Sequence, residues 1–391
     1  MITLTHVGEG IRFFIRRVRV GLFGIRKYDG NVNYICQQIV EGCWNKQKGY
    51  FMVSSGHYCE FYSRDFGWCT SALLGVGASY KSKVRKSLEY ALSVFEKVGG
   101  IHVAINPNGR AFNFPNYDSI DSIAYIFRSL RLLGDVDLIL EFFDFLQGEI
   151  TRCCGFIDSK TGLVRKDMRF SSMKDYSLRK SSCYDNCCIG LLFSEIDLIN
   201  KLFKKSSKKI SLNNPFSNYN YKKLLNEHFW TGNYFLNDLS GDNTVCGDAN
   251  IYPFWFEIFD GKNKDKKMLQ TVIKSIEKKG LDKPLPLMYN SKFDDKEHNM
   301  IFLEWFVPGW ERNSIWSMMG MKYIELVSFV DKKKALRMLD LYAVKIKEYK
   351  NFIELYDSKG TGRAFSSLFY HADGNMLWAG MYLDLVKKLR R

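Results

Sequence analysis

Helical periodicity recurs along the chain and limits what it can fold into. Val84, Leu88 and Leu92 fall on one face of a helix, because apolar residues spaced by three or four positions share a face. The same spacing recurs in the segments 120–130, 189–203, 272–276 and 338–346. The breaks between these segments are rich in Gly, Asp, Asn and aromatic residues. The alternation of helix and aromatic loop predicts an all-α chain of paired helices that close into a ring.

A closed ring accommodates in one domain a length of 391 residues, which would otherwise suit two or three domains. No Pro-, Gly- or Ser-rich linker divides the chain. We therefore predict a single catalytic domain over residues 31–391. Residues 1–30 are predicted to form a short N-terminal arm or strand, because Val18, Arg19 and Val20 alternate in polarity. Contact of this basic, apolar segment with a membrane surface is the alternative.

Charge and cysteine content exclude several classes of protein. The net charge is +15, but much of the lysine lies in polar runs and no basic–aromatic repeat of a nucleic-acid-binding module occurs, so we expect solvated surface charge. The ten cysteines form no CxxC pair, which argues against a zinc ribbon or a disulfide scaffold, so we expect reduced thiols in the cytoplasm. No apolar stretch of 18 residues occurs, so stable membrane insertion is not expected.

Tryptophans close to carboxyl, amide or proline residues are the main indication of chemistry. Sugar rings present flat C–H faces that pack on aromatic side chains, while their hydroxyls need charged or amide partners. For any single tryptophan a place in the core is the simpler explanation, but the pattern recurs. The tryptophans predicted on this basis to contact a saccharide are Trp68, Trp255, Trp305, Trp310 and Trp378.

Three segments carry carboxyl groups in apolar or aromatic surroundings. Arg64 and Asp65 lie between aromatic residues, Asp175 precedes Asp185 by ten positions, and Glu354 lies in the apolar run 352–356. A surface ion pair, a turn residue and a solvated helix end are the respective structural alternatives. A proton-donating carboxyl at neutral pH needs an apolar pocket that raises its pKa.

The order of these segments resembles that in a known family. The segments 354–357, 360–363 and 372–378 resemble the C-terminal catalytic segment of alkaline/neutral invertases and related inverting α-glycosidases. The segment 62–66 is similar to the family's early Arg-Asp-Phe motif, and Asp175 lies where the family has its catalytic aspartate. The resemblance extends over roughly residues 50–385 and rests on the order and spacing of these motifs.

The resemblance implies an (α/α)6 toroid, the six-hairpin glycosidase fold. It also implies an inverting glycoside hydrolase that cleaves an α-glycosidic bond, of α-glucosyl type, in a small saccharide. This mechanism needs neither a metal nor an organic cofactor, so none is expected. Asp175 would be the general acid, Glu354 the general base, and Arg64 with Asp65 would hold sugar hydroxyls. The other residues predicted to bind substrate are Tyr62, Asp118, Lys174, Tyr184, Asp185, Asn250 and Tyr356.

The chain departs from the invertase pattern near the predicted acid. Lys174 places an extra charge beside Asp175. The invertases usually have a glutamate about ten residues after the catalytic aspartate, and this chain has Asp185 and Asn186 near that position. The resemblance therefore implies glycosidase chemistry and not a preference for sucrose.

Two other functional classes stay open. One is a catalytically inactive carbohydrate-binding toroid, and the other is a non-hydrolytic enzyme on the same ring. An epimerase would rely on histidine pairs, but the six histidines show no helical pairing. A terpene cyclase would need DDxxD, whereas Asp294 and Asp295 are followed by Lys-Glu. The sequence leaves the oligomeric state open.

Overall fold

Helices make up most of the computed structural model, which describes residues 4–114, 117–291, 298–299 and 307–390. The helices are α1 Leu4–Phe23, α2 Val32–Gly42, α3 Ser63–Leu74, α4 Ala78–Val98, α5 Ile120–Leu133, α6 Val136–Glu141, α7 Phe143–Cys154, α8 Cys183–Lys205, α9 Tyr221–His228, α10 Gly247–Trp255, α11 Lys266–Lys278, α12 Ser317–Ser328, α13 Lys332–Tyr349 and α14 Ala379–Leu389. A short 3₁₀ helix covers Pro215–Asn218.

Within the described residues, six helices form a closed inner ring. In chain order these are α3, α5, α8, α10, α12 and α14; each packs against the next, and α14 closes the ring on α3. Outside the ring, α2 packs on α14, α4 on α3, α9 on α8, α11 on α10 and α13 on α12. The fold is therefore an all-α (α/α)6 toroid, which confirms the predicted fold class.

The sequence explains which helices lie inside. Helix α5 buries nearly all of its side chains, from Ile120 to Leu133, as expected of a helix enclosed on several sides. Helix α4 buries Val84, Leu88 and Leu92 and turns its lysines to solvent, as expected of an outer helix. Helices that are apolar on nearly all sides thus lie in the inner layer, and helices that are apolar on one face lie in the outer layer.

Short strands lie next to the inner helices. The strands are β1 Trp44–Asn45, β2 Tyr50–Phe51, β3 Phe61–Tyr62, β4 Ala104–Ile105, β5 Ala111–Phe112, β6 Ser177–Leu178, β7 His298–Asn299, β8 Ile315–Trp316 and β9 Leu355–Tyr356. Strands β3, β4 and β5 form an antiparallel sheet, and β1 pairs with β2, β6 with β7 and β8 with β9. Because β3 runs directly into α3 and β8 into α12, these strands fix where the two inner helices begin.

The N-terminal segment differs from the predicted arm or strand. Residues 4–23 form helix α1, because apolar residues at helical spacing extend over the whole segment and outweigh a three-residue alternation at 18–20. The helix lies against the ring, where the Arg17 guanidinium donates to the carbonyl of Ser367 at 3.1 Å. In the part of the chain that the structure describes, no helix is long and apolar enough to cross a membrane.

Candidate active site

A cavity of about 380 Å³ lies between the loops, the inner helices and α1. Among the described residues, four with carboxyl groups line it: Asp65, Asp175, Glu311 and Glu354. They come from α3, from the loop before β6, from the loop before β8 and from the segment before β9. Ring closure therefore gathers acidic side chains from distant parts of the chain in one enclosed space.

Arg64, in the first turn of α3, holds Asp175. Its Nη2 lies 2.7 Å from Oδ1 of Asp175, and its Nε lies 3.4 Å from Oδ2 of the buried Asp121. The Ser171 hydroxyl also donates to Asp175, at 2.9 Å. Burial raises the pKa of Asp175 above its ordinary value, although the Arg64 ion pair acts in the opposite direction.

Asp65 follows Arg64 and is bound to the far end of the chain. The indole Nε1 of Trp378 donates to Asp65 Oδ1 at 2.9 Å, so the start of α3 is joined to the residue that precedes α14. Burial raises the pKa of Asp65 to about 7, against the charges of Arg64 and Lys322. Near neutral pH a carboxyl with this pKa can accept a hydrogen bond from a sugar hydroxyl when it is ionised, or donate one to it when it is protonated.

Glu354 is buried and accepts two hydrogen bonds on one oxygen. The Tyr370 hydroxyl lies 2.6 Å from Oε2, and the backbone N–H of Asp373 donates to the same atom at 2.9 Å. Tyr58 extends this network, because its hydroxyl lies 2.6 Å from that of Tyr370. Both donors to Glu354 are uncharged, and burial raises the pKa of Glu354 to about 8.

Glu311 is a cavity carboxyl that the sequence analysis did not select. Its two oxygens accept the backbone N–H of Tyr176 at 3.0 and 3.2 Å, so it holds the loop that carries Asp175. Burial, followed by the charge of Asp175, raises the pKa of Glu311 to about 8. The pattern that selected Trp310, an aromatic residue beside a carboxyl, also identifies its neighbour Glu311.

Aromatic side chains cover much of the remaining wall. Of the predicted residues, Tyr62, Trp68, Trp310 and Trp378 line the cavity. The aromatic residues that line it without having been predicted are Phe13, Phe14, Tyr58, Phe114, Tyr176, Tyr289, Trp316, Phe369 and Tyr370. Trp316 stands beside Trp310, with ring centroids 5.4 Å apart, and its indole donates to the Trp310 carbonyl at 3.1 Å. The wall combines flat apolar faces with carboxyls, as saccharide binding requires.

Three other predicted residues lie close to the cavity but behind its wall. The Tyr184 hydroxyl donates to Asp121 at 3.2 Å, beneath the Arg64 ion pair. Lys174 is buried and donates to Asn290 at 2.8 Å. Asp185 accepts the Ser182 hydroxyl at 2.7 Å at the start of α8. These side chains support the loops around Asp175 and do not line the cavity.

The remaining predicted residues are placed elsewhere. The side chain of Asn250 accepts the backbone N–H of Phe235 at 2.8 Å and donates to the carbonyl of Phe235 at 3.1 Å. Tyr356 is buried in β9. Asp118 pairs with Arg152, and Trp255 lines a separate cavity, where the Arg128 guanidinium lies 4.3 Å from the centre of its ring. Trp305 lies outside the described residues.

The described residues contain no group of three or more His, Cys, Asp or Glu side chains arranged to hold a metal ion. The cavity carboxyls are instead bound to an arginine, an indole, a phenol and backbone amides. Such partners hold carboxyl groups in fixed positions for hydrogen bonding and proton transfer.

The solved structures that share this architecture include several glycosidases. A rhamnosidase from Klebsiella oxytoca with rhamnose bound matches with a TM-score of 0.62 and 11% identity, over 92% of this chain and 63% of the rhamnosidase. A glycosidase in complex with glucose matches with a TM-score of 0.64 and 12% identity, over 98% of each chain. The chain has the fold of the toroidal glycosidases. A GH63 mannosylglycerate hydrolase from Thermus thermophilus also matches, with a TM-score of 0.59 and 10% identity, over 90% of this chain and 98% of the hydrolase.

These structures support a toroidal glycosidase fold in general and do not single out the invertases. No model of a protein family matches the sequence. No curated protein matches it either. The toroidal fold is therefore shared across very different sequences, and any specific activity has to be argued from the cavity.

Proposed function

We propose that this protein is an inverting glycoside hydrolase that cleaves an α-glycosidic bond, of α-glucosyl type, in a small saccharide. The observation that carries the proposal is that Asp175 and Glu354, far apart in sequence, line one aromatic cavity. Asp65 is close enough to influence the protonation of Glu354 and is itself influenced by Asp175. The glycosidase in complex with glucose, which matches over 98% of each chain, supports a glucosyl substrate.

In the proposed mechanism, the sugar packs on the tryptophan wall while Arg64 and Asp65 hold its hydroxyls. Asp175, when protonated, donates to the glycosidic oxygen, and Glu354, when ionised, activates a water on the opposite face of the ring. Inversion requires the two carboxyl groups to be about 6.5–9.5 Å apart, with room for that water. Tyr370 and the Asp373 amide keep one oxygen of Glu354 fixed, so that the other can accept the proton of the water.

A second candidate mechanism exchanges the acid and base roles of Asp175 and Glu354, and the charges around the two carboxyls favour it. Arg64 stabilises the ionised form of Asp175, whereas the donors to Glu354 are neutral and its pKa rises to about 8. In the ligand-free site, a proton is therefore held more readily by Glu354. On this assignment Glu354 is the acid and Asp175 is the base.

A pair of conservative variants tests the function and separates the two assignments. Asp175→Asn and Glu354→Gln should each reduce hydrolysis of an unactivated α-glucoside by about a thousandfold, since acid or base catalysis contributes roughly 10²- to 10⁴-fold. A dinitrophenyl α-glucoside needs no proton donor, so the variant that lacks the acid should still hydrolyse it. The variant that lacks the base should not, until azide replaces the activated water.

Folding and stereochemistry complete this experiment. Circular dichroism should show that both variants keep the helical content of the parent. NMR of the first product should show the β-anomer from an α-glycoside. Parent rates in both variants would remove the assignment of these residues, and sugar binding without product release in the parent would identify an inactive carbohydrate-binding toroid.

The chemical state of the cysteines supports a cytoplasmic location as part of the proposal. All ten cysteines are free thiols, and eight of them are buried. Free thiols persist in reducing compartments, whereas secreted proteins usually pair them.

A further inference from the structure

Helix α1 turns an apolar stripe to solvent. Seven residues of the stripe repeat at spacings of three and four, which places them on one face of the helix. Their exposure ranges from 47% for Val18 to 89% for Leu4. The stripe consists of Leu4, Val7, Ile11, Phe14, Ile15, Val18 and Leu22. A contiguous exposed apolar surface of this kind marks an interaction site in a folded protein.

Polar contacts on the opposite face fix this orientation. Arg12 pairs with Glu9 and with the buried Glu60, and Arg16 lies 2.9 Å from the sulfur of Cys59. The imidazole of His6 bonds the carbonyl of Asn113 at 2.7 Å. An ordinary surface helix turns its main apolar face to the core, whereas α1 binds the ring through these polar contacts and through Phe13, which stacks on His57. The apolar stripe is therefore left for a partner outside the ring.

The charge around the stripe indicates which partner fits. Residues 4–27 contain six arginine and lysine residues and a single acidic residue, Glu9. Arg19 is exposed within the helix, and Arg26 and Lys27 are exposed beyond its end. The whole chain carries a net charge of +15, so a second copy would be repelled, whereas an anionic surface would be attracted.

We propose that α1 binds the surface of an anionic lipid membrane, with the apolar stripe at the boundary between headgroups and acyl chains. Interfacial helices combine an apolar face with basic residues and lie in the membrane plane. Twenty residues give α1 a length of about 30 Å, enough for several turns of contact. Because Gly10, Phe13 and Phe14 line the cavity, binding through α1 would hold the cavity beside the lipid surface.

Vesicle flotation with the full chain tests this proposal without reference to hydrolysis. The parent should float with vesicles of phosphatidylcholine and phosphatidylglycerol and not with phosphatidylcholine alone. In the double variant Ile11→Ser with Ile15→Ser, the fraction of protein bound to the vesicles should fall at least about tenfold. A matched control is Leu341→Ser with Val344→Ser, at two exposed apolar residues of α13, which should bind as the parent does.

Electrostatic dependence gives a second measurement. Arg19→Gln with Lys27→Gln, or added salt, should weaken binding to the anionic vesicles. Failure of the parent to float with them would overturn the proposal, and so would full binding by the variant that lacks Ile11 and Ile15. If the parent did not bind vesicles but sedimented as a dimer, and the same double variant sedimented as a monomer, the stripe would instead be covered by a second copy of the chain. Loss of the proposed hydrolase activity changes none of these outcomes.

Discussion

Glu311 shows how a buried carboxyl can serve the site without carrying charge. Its pKa of about 8 means that it is mostly protonated at neutral pH, while its oxygens accept the amide of Tyr176. Its structural contribution is then a hydrogen-bond acceptor that fixes the loop after Asp175. A side chain with the same shape and no charge should replace it.

We expect Glu311→Gln to keep kcat/KM at pH 6.5 within about threefold of the parent, because the amide oxygen still accepts the N–H of Tyr176. Glu311→Ala should lower it by about a hundredfold, since the loop loses its acceptor and Asp175 is displaced. Steady-state kinetics on the same glucoside compare the two variants. Equal damage by both substitutions would show that the negative charge, and not the acceptor, matters.

At the residue scale, the sequence identified the cavity side chains that belong to ordered motifs. Asp175, Glu354, Arg64 and Asp65 were selected by the resemblance, and all four line the cavity. Trp316 and Tyr370 were not selected, because only ring closure brings their loops to the same space. Asn250 was predicted to bind substrate, but its side-chain amide is hydrogen-bonded to the backbone of Phe235. Sequence alone does not distinguish a satisfied amide from a free one.

At the scale of elements, contact between inner helices depends on glycine at a crossing point. Gly67 of α3 faces Tyr125 of α5, and a methyl group at this position would overlap the Tyr125 side chain. Both helices are buried on several sides, so neither can move away without disturbing the ring.

Gly67→Ala should therefore lower the free energy of unfolding by about 2 kcal/mol, the usual cost of overpacking a core. Gly148→Ala in helix α7 is the control, because this residue is exposed and the added methyl group would meet no described neighbouring side chain or element within 4 Å. That change should raise stability by up to about 1 kcal/mol, through better helix propensity. Urea unfolding of both variants measures the difference, and a neutral Gly67→Ala would show that the α3–α5 crossing is adaptable.

The same scale shows where prediction from periodicity succeeded and where it did not. Periodic spacing predicted a ring of paired helices, and burial of Ile120, Phe127 and Leu130 in α5 agrees with it. The segment of α1 was predicted as a short arm or strand from residues 18–20, although Ile11, Ile15, Val18 and Leu22 follow helical spacing. An apolar face usually indicates the core, so periodicity alone does not show that α1 turns that face outward.

For the whole molecule, the toroid places several carboxyl groups in a space poorly accessible to water. Burial raises the pKa of Asp373 to about 6, of Asp65 to about 7 and of Glu354 to about 8. Each raised value means that ionising the group inside the fold costs more free energy than in the unfolded chain. These buried carboxyls therefore lower the stability of the folded chain as the pH rises and they ionise.

Glu354 allows this cost to be measured as a function of pH. Its carboxyl is ionised in the unfolded chain above about pH 5 but keeps a proton in the folded chain up to about pH 8. The folded state binds more protons in this interval, so the contribution of Glu354 to the free energy of unfolding falls as pH rises. Glu354→Gln removes this dependence and leaves the Tyr370 and Asp373 donors an oxygen to bond.

We therefore expect Glu354→Gln to stabilise the ligand-free protein more at pH 8.5 than at pH 6, by on the order of 2 kcal/mol. Denaturant unfolding of parent and variant at both pH values gives the difference, and groups common to both proteins cancel in it. Asp357→Asn is the matched control, since this carboxylate is partly exposed and lies just beyond β9. A stability difference between Glu354→Gln and the parent that does not change with pH would mean that Glu354 is already ionised in the folded state. The toroid would then stabilise its charge in the empty site, as a general base requires.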